Sequence, residues 1–393
     1  MKYYTAKYIL FQKKQDDTYK LINEVTLDQF LIKKPLKELI ESFKKGQKIE
    51  SYLNDIKTKD DCQFLISKKV LISEELYKYE TYASQLPRET YFRMKPLLAG
   101  EEKKIVFHGI PFGKGNTSDF RTSFFPSKFR SFSNMISFLD NQHFLSFPIG
   151  AILNKKNLNN TQNLIDKDRL RDNGDLFIHQ FESASKAYEK IEYTYDKIFK
   201  VNNIPFSLGG DHSITYPILK SLGKMNEPFN VIHFDAHTDI YENRFSDISD
   251  DPDFFHHGNF VTKSLEIKSL KKYIMLGLRS NPKGKINSKI EFYDVGTLKK
   301  YLRKQKKIDL GISGKTYITF DIDILDPVYA PATATPVPFG LTPFEVLDVF
   351  NDCLEGIDIV GIDFVEVNPS IDNKEGTMNI AMNLIIALLS YLK

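Results

Sequence analysis

The sequence predicts an α/β chain: a parallel sheet covered by helices on both faces, preceded by a small α+β module. Three observations carry this. From Lys104 onward, short apolar runs alternate with stretches of helical period, the pattern of strands joined by crossover helices. Acids and histidines gather where several of those runs end, and in open parallel sheets ligands bind beyond the C-terminal strand ends. The first 90 residues show neither feature and read as a separate domain, with the linker placed at 78–95.

In the first part, residues 3–12 and 18–22 read as two strands around the turn Gln15-Asp16-Asp17. Pro35 opens a helix with Leu36, Leu39, Ile40 and Phe43 on one face, and Gly46 ends it. A short helix burying Ile49, Tyr52, Leu53 and Ile56 is expected next, then a third near 60–68 leading into the strand Val70-Leu71-Ile72. This order suggests a winged-helix-like domain over residues 1–90.

The second part, 95–393, opens with the strand Lys104–Ile110. Residues 116–130 read as a polar, aromatic loop around Pro126, and 131–165 show no clear period. Further strands are expected at 170–175, 205–208, 231–235, 273–277, 290–294, 317–321 and 357–364. Helices are expected at 182–201, 213–222, 296–305, 342–354 and 379–392, with Thr342 as an N-cap before Pro343. A long polar loop spans 240–259.

Composition narrows the function. Apolar residues make up 41% of 393, enough for a sizeable core. The net charge is +3, carried by residues 1–90, where 17 Lys+Arg face 14 Asp+Glu. That excess is too small to indicate nucleic acid, and Lys33, Lys34, Lys37, Lys44, Lys45 and Lys48 read as a solvated helix face. No signal peptide and no 18-residue apolar run is visible, so no membrane span is expected. Cys62 and Cys353 stand far apart, which favours a reducing cytoplasm over a disulfide framework.

The chemistry centres on Val231-Ile232-His233-Phe234-Asp235-Ala236-His237-Thr238-Asp239. Strand residues two apart share a face, so Asp235, His237 and Asp239 can converge as the strand ends. Two carboxylates and an imidazole suit a hard-to-borderline cation such as Mn²⁺; the plainer reading is a polar loop. Gly209-Gly210-Asp211-His212-Ser213 presents His212 after another strand. Asp321-Ile322-Asp323 places two carboxylates that repel unless a cation lies between them. Glu366, in Asp363-Phe364-Val365-Glu366-Val367-Asn368-Pro369, is placed to face a cationic ligand. Six carboxylate and imidazole ligands exceed the three of a single catalytic zinc and suit two Mn²⁺ ions.

Gly-Gly-Asp-His-Ser, Asp-Ala-His-Thr-Asp and Asp-Ile-Asp-Ile-Leu-Asp-Pro, in this order, resemble the ureohydrolase family: arginase, agmatinase and formimidoylglutamase. The resemblance spans about residues 104–393 and includes Gly-Ile-Pro-Phe-Gly, Thr335-Pro336, Gly340-Leu341-Thr342 and Glu366-Val367-Asn368-Pro369. It implies a three-layer α/β/α sandwich, a trimer or hexamer, and hydrolysis of a guanidino or amidine C–N bond that releases urea. It implies two Mn²⁺ held by His212, Asp235, His237, Asp239, Asp321 and Asp323. His257, Glu366 and Asp239 are then expected to be catalytic, with His257 as the mobile-loop proton carrier. Glu366, Thr335 and Tyr241 are expected to meet the substrate. Tyr241 replaces the Asn that reads the carboxylate of free arginine, and His233-Phe234 is agmatinase-like. The first domain resembles winged-helix modules that bind a leader peptide as an added strand. An arginine-derived guanidino compound is therefore the expected substrate, and arginine within a peptide, converted to ornithine, if the first domain binds a leader. Agmatine, free arginine or a formimidoyl substrate with an oligomerisation module is the alternative, and a catalytically silent binding protein or a single-zinc deacetylase the more distant ones.

Overall fold

The computed structural model describes all residues except 1, 7–8, 24–27, 53–54, 75–76, 78–83, 86–88, 99–100, 138–151, 242–254 and 281–286. Part of the expected linker, most of the 240–259 loop, Leu53 and the middle of the uncertain 131–165 stretch lie outside the described residues. The chain divides into two units, Met1–Gln85 and Leu86–Lys393.

The first unit is α+β. Strand β1 (Lys2–Thr5) pairs antiparallel with β5 (Gln47–Lys48) and β6 (Leu71–Ser73). Strands β2 (Ile9–Lys13), β3 (Thr18–Asn23) and β4 (Gln29–Lys33) form a second antiparallel sheet. The single strand expected at 3–12 is thus two strands, because its halves find different partners. Strand β4 is an addition to the sequence reading. Asp16 and Asp17 make the hairpin turn in the left-handed region, at φ 53° and 52°. Helix α1 (Lys34–Ser42) has Pro35 in its first turn, and Gly46, at φ 77°, ends the 3₁₀ turn that follows. Helix α2 (Ile56–Ser67) is capped by Asp55, whose carboxylate accepts from Thr58 N at 2.9 Å. Ile56 is 80% exposed rather than buried, because it opens α2 instead of closing a preceding helix. Leu21, Ile32, Ile40, Phe43, Cys62, Leu65, Val70 and Leu71 form this unit's core.

The second unit holds eight parallel strands: β7 (Ile105–Ile110), β8 (Leu170–Leu176), β9 (Ile204–Gly209), β10 (Phe229–Phe234), β11 (Leu270–Leu278), β12 (Ile290–Asp294), β13 (Lys315–Asp321) and β14 (Asp358–Val365). They lie in the order β12-β11-β10-β13-β14-β9-β7-β8, each pair parallel. The central strands read as continuous apolar runs because both faces are covered. Stacked Phe107–Phe206 and Phe320–Phe364 pairs, with ring centroids 4.6 and 4.8 Å apart, join neighbouring strands.

The helices are α3 (Phe125–Ser133), α4 (Lys155–Asp166), α5 (Ala184–Lys200), α6 (Thr215–Gly223), α7 (Phe260–Ser264), α8 (Val295–Arg303), α9 (Pro343–Leu354) and α10 (Gly376–Leu389). Helix α6 packs on α5 and α7; α10 packs on α3, α4 and α9, and α9 on α8. The 116–130 stretch is not all loop: Pro126 sits in the first turn of α3, which buries Phe125, Phe129 and Phe132. The N-cap of α9 is a full capping box between Thr342 and Glu345. Cys62 and Cys353 are buried free thiols. Among the described residues no helix is long and apolar enough to cross a membrane.

Chain direction locates the site. After β9 the chain leaves to build β10, β11 and β12, then returns to place β13 and β14 between β9 and β10. That reversal brings four C-terminal strand ends side by side. At the end of β9, Gly210 touches both neighbours: its N–H donates to Ile110 O at 3.0 Å and its carbonyl accepts from Glu366 N at 2.9 Å. A Cβ on Gly210 would lie 1.7 Å from Phe112 O, which is backbone and cannot swing away. Gly210→Ala should therefore cost about 1–3 kcal/mol in chemical denaturation, and lower metal uptake by displacing the His212 turn.

Candidate metal centre

Strand β10 runs out at Phe234, and its two-residue period continues through His233, Asp235, His237 and Asp239. Asp235 sits between two histidines. Its Oδ2 lies 3.0 Å from His212 Nδ1, and its Oδ1 lies 3.4 Å from His237 Nδ1. His212 Nδ1 also faces Asp239 Oδ2 at 3.3 Å and Asp321 Oδ2 at 3.2 Å. His237 Nδ1 faces Asp323 Oδ2 at 2.9 Å. The six residues expected as metal ligands therefore converge in two lobes that share Asp235.

Backbone donors aim these carboxylates. Asp323 N–H donates to Asp321 Oδ1 at 2.8 Å, leaving Oδ2 toward His212. Ala236 N–H donates to Asp323 Oδ1 at 3.0 Å, leaving Oδ2 toward His237. Arg279 braces the same loop: its guanidinium donates to the carbonyls of Asp323, Ile324, Leu325 and Val337. His212 is oriented from behind. Its Nε2 lies 2.8 Å from Thr319 Oγ1, whose hydroxyl donates to Asp363 Oδ1 at 2.6 Å. With that hydroxyl proton committed, Thr319 must accept from His212 Nε2–H, which aims Nδ1 at the carboxylates.

The electrostatics call for compensating positive charge, from protons or from cations. Burial pushes Asp239, Asp321 and Asp323 above the ordinary carboxylate range, and the neighbouring Asp235 charge pushes them further. Burial opposes charge on His212 and His237 too, but the facing carboxylates outweigh it and hold both well above the usual imidazole range. Burial acts on Asp235 in the same upward sense; the approach of His212, His233 and His237 overcomes it and holds this carboxyl well below its usual value. Protons thus stand where cations would. His212 Nδ1 and Asp323 Oδ2 are buried and meet only other members of the cluster, among them Asp235 Oδ2 at 3.0 Å and His237 Nδ1 at 2.9 Å, the setting in which a cation would find its donors. The donor set, carboxylate with imidazole and no thiolate, fits a divalent hard-to-borderline ion in each lobe.

His233 belongs with this cluster, although the sequence reading did not count it. Its Nε2 is 2.8 Å from Asp235 Oδ2, and it groups with His212, Asp235 and Asp239 as a set able to hold a metal. Asp321 enters instead through its approach to His212. We assign His233 to holding Asp235, because the hydrogen bond already engages its Nε2. The period-two alternation was the signal that could have found it.

Glu366 and His257 lie beside the cluster. Glu366 is buried at φ 65°; its Oε1 accepts from His212 N–H at 2.9 Å and stands 3.3 Å from His257 Nδ1. Burial alone would lower the His257 pKa; the Glu366 hydrogen bond and the charges of Glu366, Asp239 and Asp211 raise it to about 9. His256 points elsewhere, with its Nδ1 accepting from Gly258 N–H at 3.1 Å, so His257 is the member of the His-His pair that meets Glu366. Two further residues, absent from the sequence reading, touch this pair. Asn116 Nδ2 donates to Glu366 Oε2 at 2.9 Å, and Thr117 N–H donates to His257 Nε2 at 3.2 Å. Thr335 is half-buried, two residues past Thr333, which bridges to Val367 beside Glu366. Tyr241 is 46% exposed, and its backbone N–H donates to Gly258 O at 3.0 Å, tying it to the His257 loop.

The Arginase family profile matches residues 103–390. The chain is similar to a human mitochondrial guanidino acid hydrolase, 32% identical over 56% of this chain and 63% of that relative, so it spans less than two thirds of that protein. It is similar to a mitochondrial agmatinase of Gallus gallus, 29% identical over 76% of this chain and 84% of the relative. Among solved structures, a hypothetical agmatinase from Burkholderia thailandensis superposes with a TM-score of 0.63 at 25% identity, covering 79% of this chain and 94% of the other.

Because protons held by the cluster must leave when cations enter, divalent-metal affinity should climb as pH rises from about 6 to 8, with proton release in lightly buffered titrations. His237→Ala and Asp323→Ala should each lose about one metal per chain by elemental analysis; full occupancy in both would contradict the ligand assignment.

Proposed function

The chain belongs to the arginase family, and on that premise we propose that it hydrolyses a small linear guanidino compound of the agmatine or guanidino-acid type, releasing urea with two Mn²⁺ ions. The observation that carries the reading is the two-lobed His/Asp cluster sharing Asp235, with the Glu366–His257 pair against it. The hard, oxygen-rich donor set supports Mn²⁺. When bound, the two ions acidify a water so that hydroxide is available near neutral pH.

The chain's own residues do the rest. Glu366, anchored through Oε1 to His212 N–H, accepts the planar guanidinium of the substrate and sets its carbon over the cluster. His257, its Nδ1 toward Glu366, hands a proton to the departing amine. Asp239, facing His212 at 3.3 Å, holds the cluster side of the same space. Thr335 and Tyr241 line the approach. Relatives named for agmatine and guanidino acids support a small free substrate, and Tyr241 in place of the carboxylate-reading Asn argues against free arginine.

A second reading has its own observation. The first unit packs its own core and carries an antiparallel sheet, β2-β3-β4, followed by helices, a winged-helix-like order. A sheet edge can take a peptide as an added strand, which would make arginine within a peptide the substrate and ornithine the product. The other role for this unit is assembly of a trimer or hexamer. Two buried unpaired thiols support a reducing cytoplasm.

Urea release by the Mn²⁺-loaded protein from agmatine, 4-guanidinobutanoate, free arginine and a doubly blocked arginine peptide separates these readings. Turnover of the first two and not the peptide is the expected result; turnover of the peptide alone would select the second reading. Glu366→Gln should lower kcat/KM by about a hundredfold or more, because the charge that pairs with the guanidinium is gone.

A further inference from the structure

We infer that Asn116 is a positioning residue that aims the Glu366 carboxylate, an inference resting on the guanidino-hydrolase reading above. Asn116 lies in the loop after β7, and its amide is oriented by its neighbours. Its Oδ1 accepts from Ser118 N–H and Asp119 N–H, both at 2.8 Å. Two backbone donors on one atom fix that atom as oxygen, so the outward end is the amide nitrogen. That nitrogen donates to Glu366 Oε2 at 2.9 Å across 250 residues of sequence.

Glu366 is consequently held from both ends. Oε1 meets His212 N–H and His257 Nδ1, and Oε2 meets Asn116. A carboxylate offers about four lone-pair sites, so the edge left open for a cationic ligand is that of Oε2, on the side Asn116 leaves free. The loop itself cannot drift. Gly115 N–H donates to Asp211 Oδ2 at 2.9 Å, and Gly115 O accepts from His257 N–H at 2.9 Å. A Cβ at Gly115 would lie 2.2 Å from Ser213 Oγ, so the backbone approaches the His212 turn as only glycine allows. Asn116 thus links the Glu366 side chain to the backbone frame that carries His212 and His257. Freed from Asn116, the carboxylate plane can rotate about its terminal torsion, which is broad and has no strong preference of its own.

Asn116→Asp tests this without breaking the turn, because its carboxylate still accepts from Ser118 and Asp119 N–H while the donor to Glu366 is replaced by a like charge. Asn116→Ala removes the donor without adding charge. Both should keep two metals per chain and the wild-type Tm, yet lose about tenfold or more in kcat/KM for agmatine or 4-guanidinobutanoate. Asn116→Asp should lose more than Asn116→Ala, since only the former faces Glu366 with a like charge. Methylguanidine binding to the metal-loaded proteins by calorimetry reads the same carboxylate without turnover, and should weaken in both variants. Variants within twofold of a functioning wild type in kcat/KM and in methylguanidine affinity would overturn the inference alone. A wild type that neither releases urea nor binds methylguanidine would remove the reading beneath it, and the inference with it.

Discussion

Four carboxylates, Asp235, Asp239, Asp321 and Asp323, stand buried around two imidazoles at one end of the sheet, and the rest of this half of the molecule is arranged to keep them there. Buried like charges this close cannot all stay ionised by themselves: each loses its hydration and feels its neighbours. Two outcomes are open to such a cluster. Protons fill it, as the raised His212, His237, Asp239, Asp321 and Asp323 indicate for the metal-free chain. Or divalent cations replace the protons, which couples the cluster's stability to metal and to pH. The fold serves either state by rigid aiming. Thr319 and Asp363 turn His212, Ala236 N–H turns Asp323, and Arg279 clamps the Asp323–Leu325 carbonyls without adding a carboxylate of its own.

Backbone strain falls where the site needs it. Asp239 and Glu366 are both non-glycine residues in the left-handed region, at φ 50° and 65°, conformations that cost on the order of 1–3 kcal/mol each. Neither would persist in a free loop. Asp239 is held by its carbonyl, which accepts from Val261 N–H at 3.2 Å, and Glu366 by its N–H, which donates to Gly210 O at 2.9 Å. The bend at Glu366 turns its side chain back from the end of β14 toward His212, and the bend at Asp239 ends the period-two run with its carboxylate on the same cluster. Strain at these two positions is offset by the surrounding hydrogen bonds, and its effect is to place two acids that an unstrained strand would point elsewhere.

What was legible in the sequence follows from what short-range pattern can encode. The eight parallel strands and the six acids and histidines that converge at their ends stood out because buried strands are apolar runs and polar side chains gather where those runs stop. Strand β4 was missed because Phe30-Leu31-Ile32 runs directly into the helix opened by Pro35, with no turn residue between them. Helix α3 is hidden in the sequence because Pro126 reads equally as a loop signal and as a residue of a first helical turn, where it sits. Ile56 is exposed because the Asp55 cap makes it the first residue of α2, whereas the spacing of Ile49, Tyr52 and Ile56 reads as one face of a preceding helix that ends at Tyr52. Asn116 and Thr117 left no trace at all. A single amide and a backbone N–H in a polar loop resemble any turn, and their partners lie 250 and 140 residues away.

The same distinction separates the two halves of the site. The metal cluster is built from strand ends, where the sheet fixes position and a period-two code writes the ligands into sequence. The face beside it is built from loops: Gly115–Thr117, His257–Gly258 and Glu366–Asn368 meet through long-range bonds between side chains and backbone groups that no local pattern specifies. Asp119 extends that face, accepting from Asn368 Nδ2 at 2.8 Å while pairing with Arg121, which with the backbone N–H of Arg121 holds its carboxyl down near 2. A loop-built face can change residues without disturbing the sheet beneath it, because its bonds join loop residues to one another and not to the interior of the strands. The buried His/Asp cluster and the Glu366–His257 face are therefore carried by structurally separate layers. The first is constrained by charge burial at the strand ends, and the second only by the hydrogen bonds that aim Glu366 and His257.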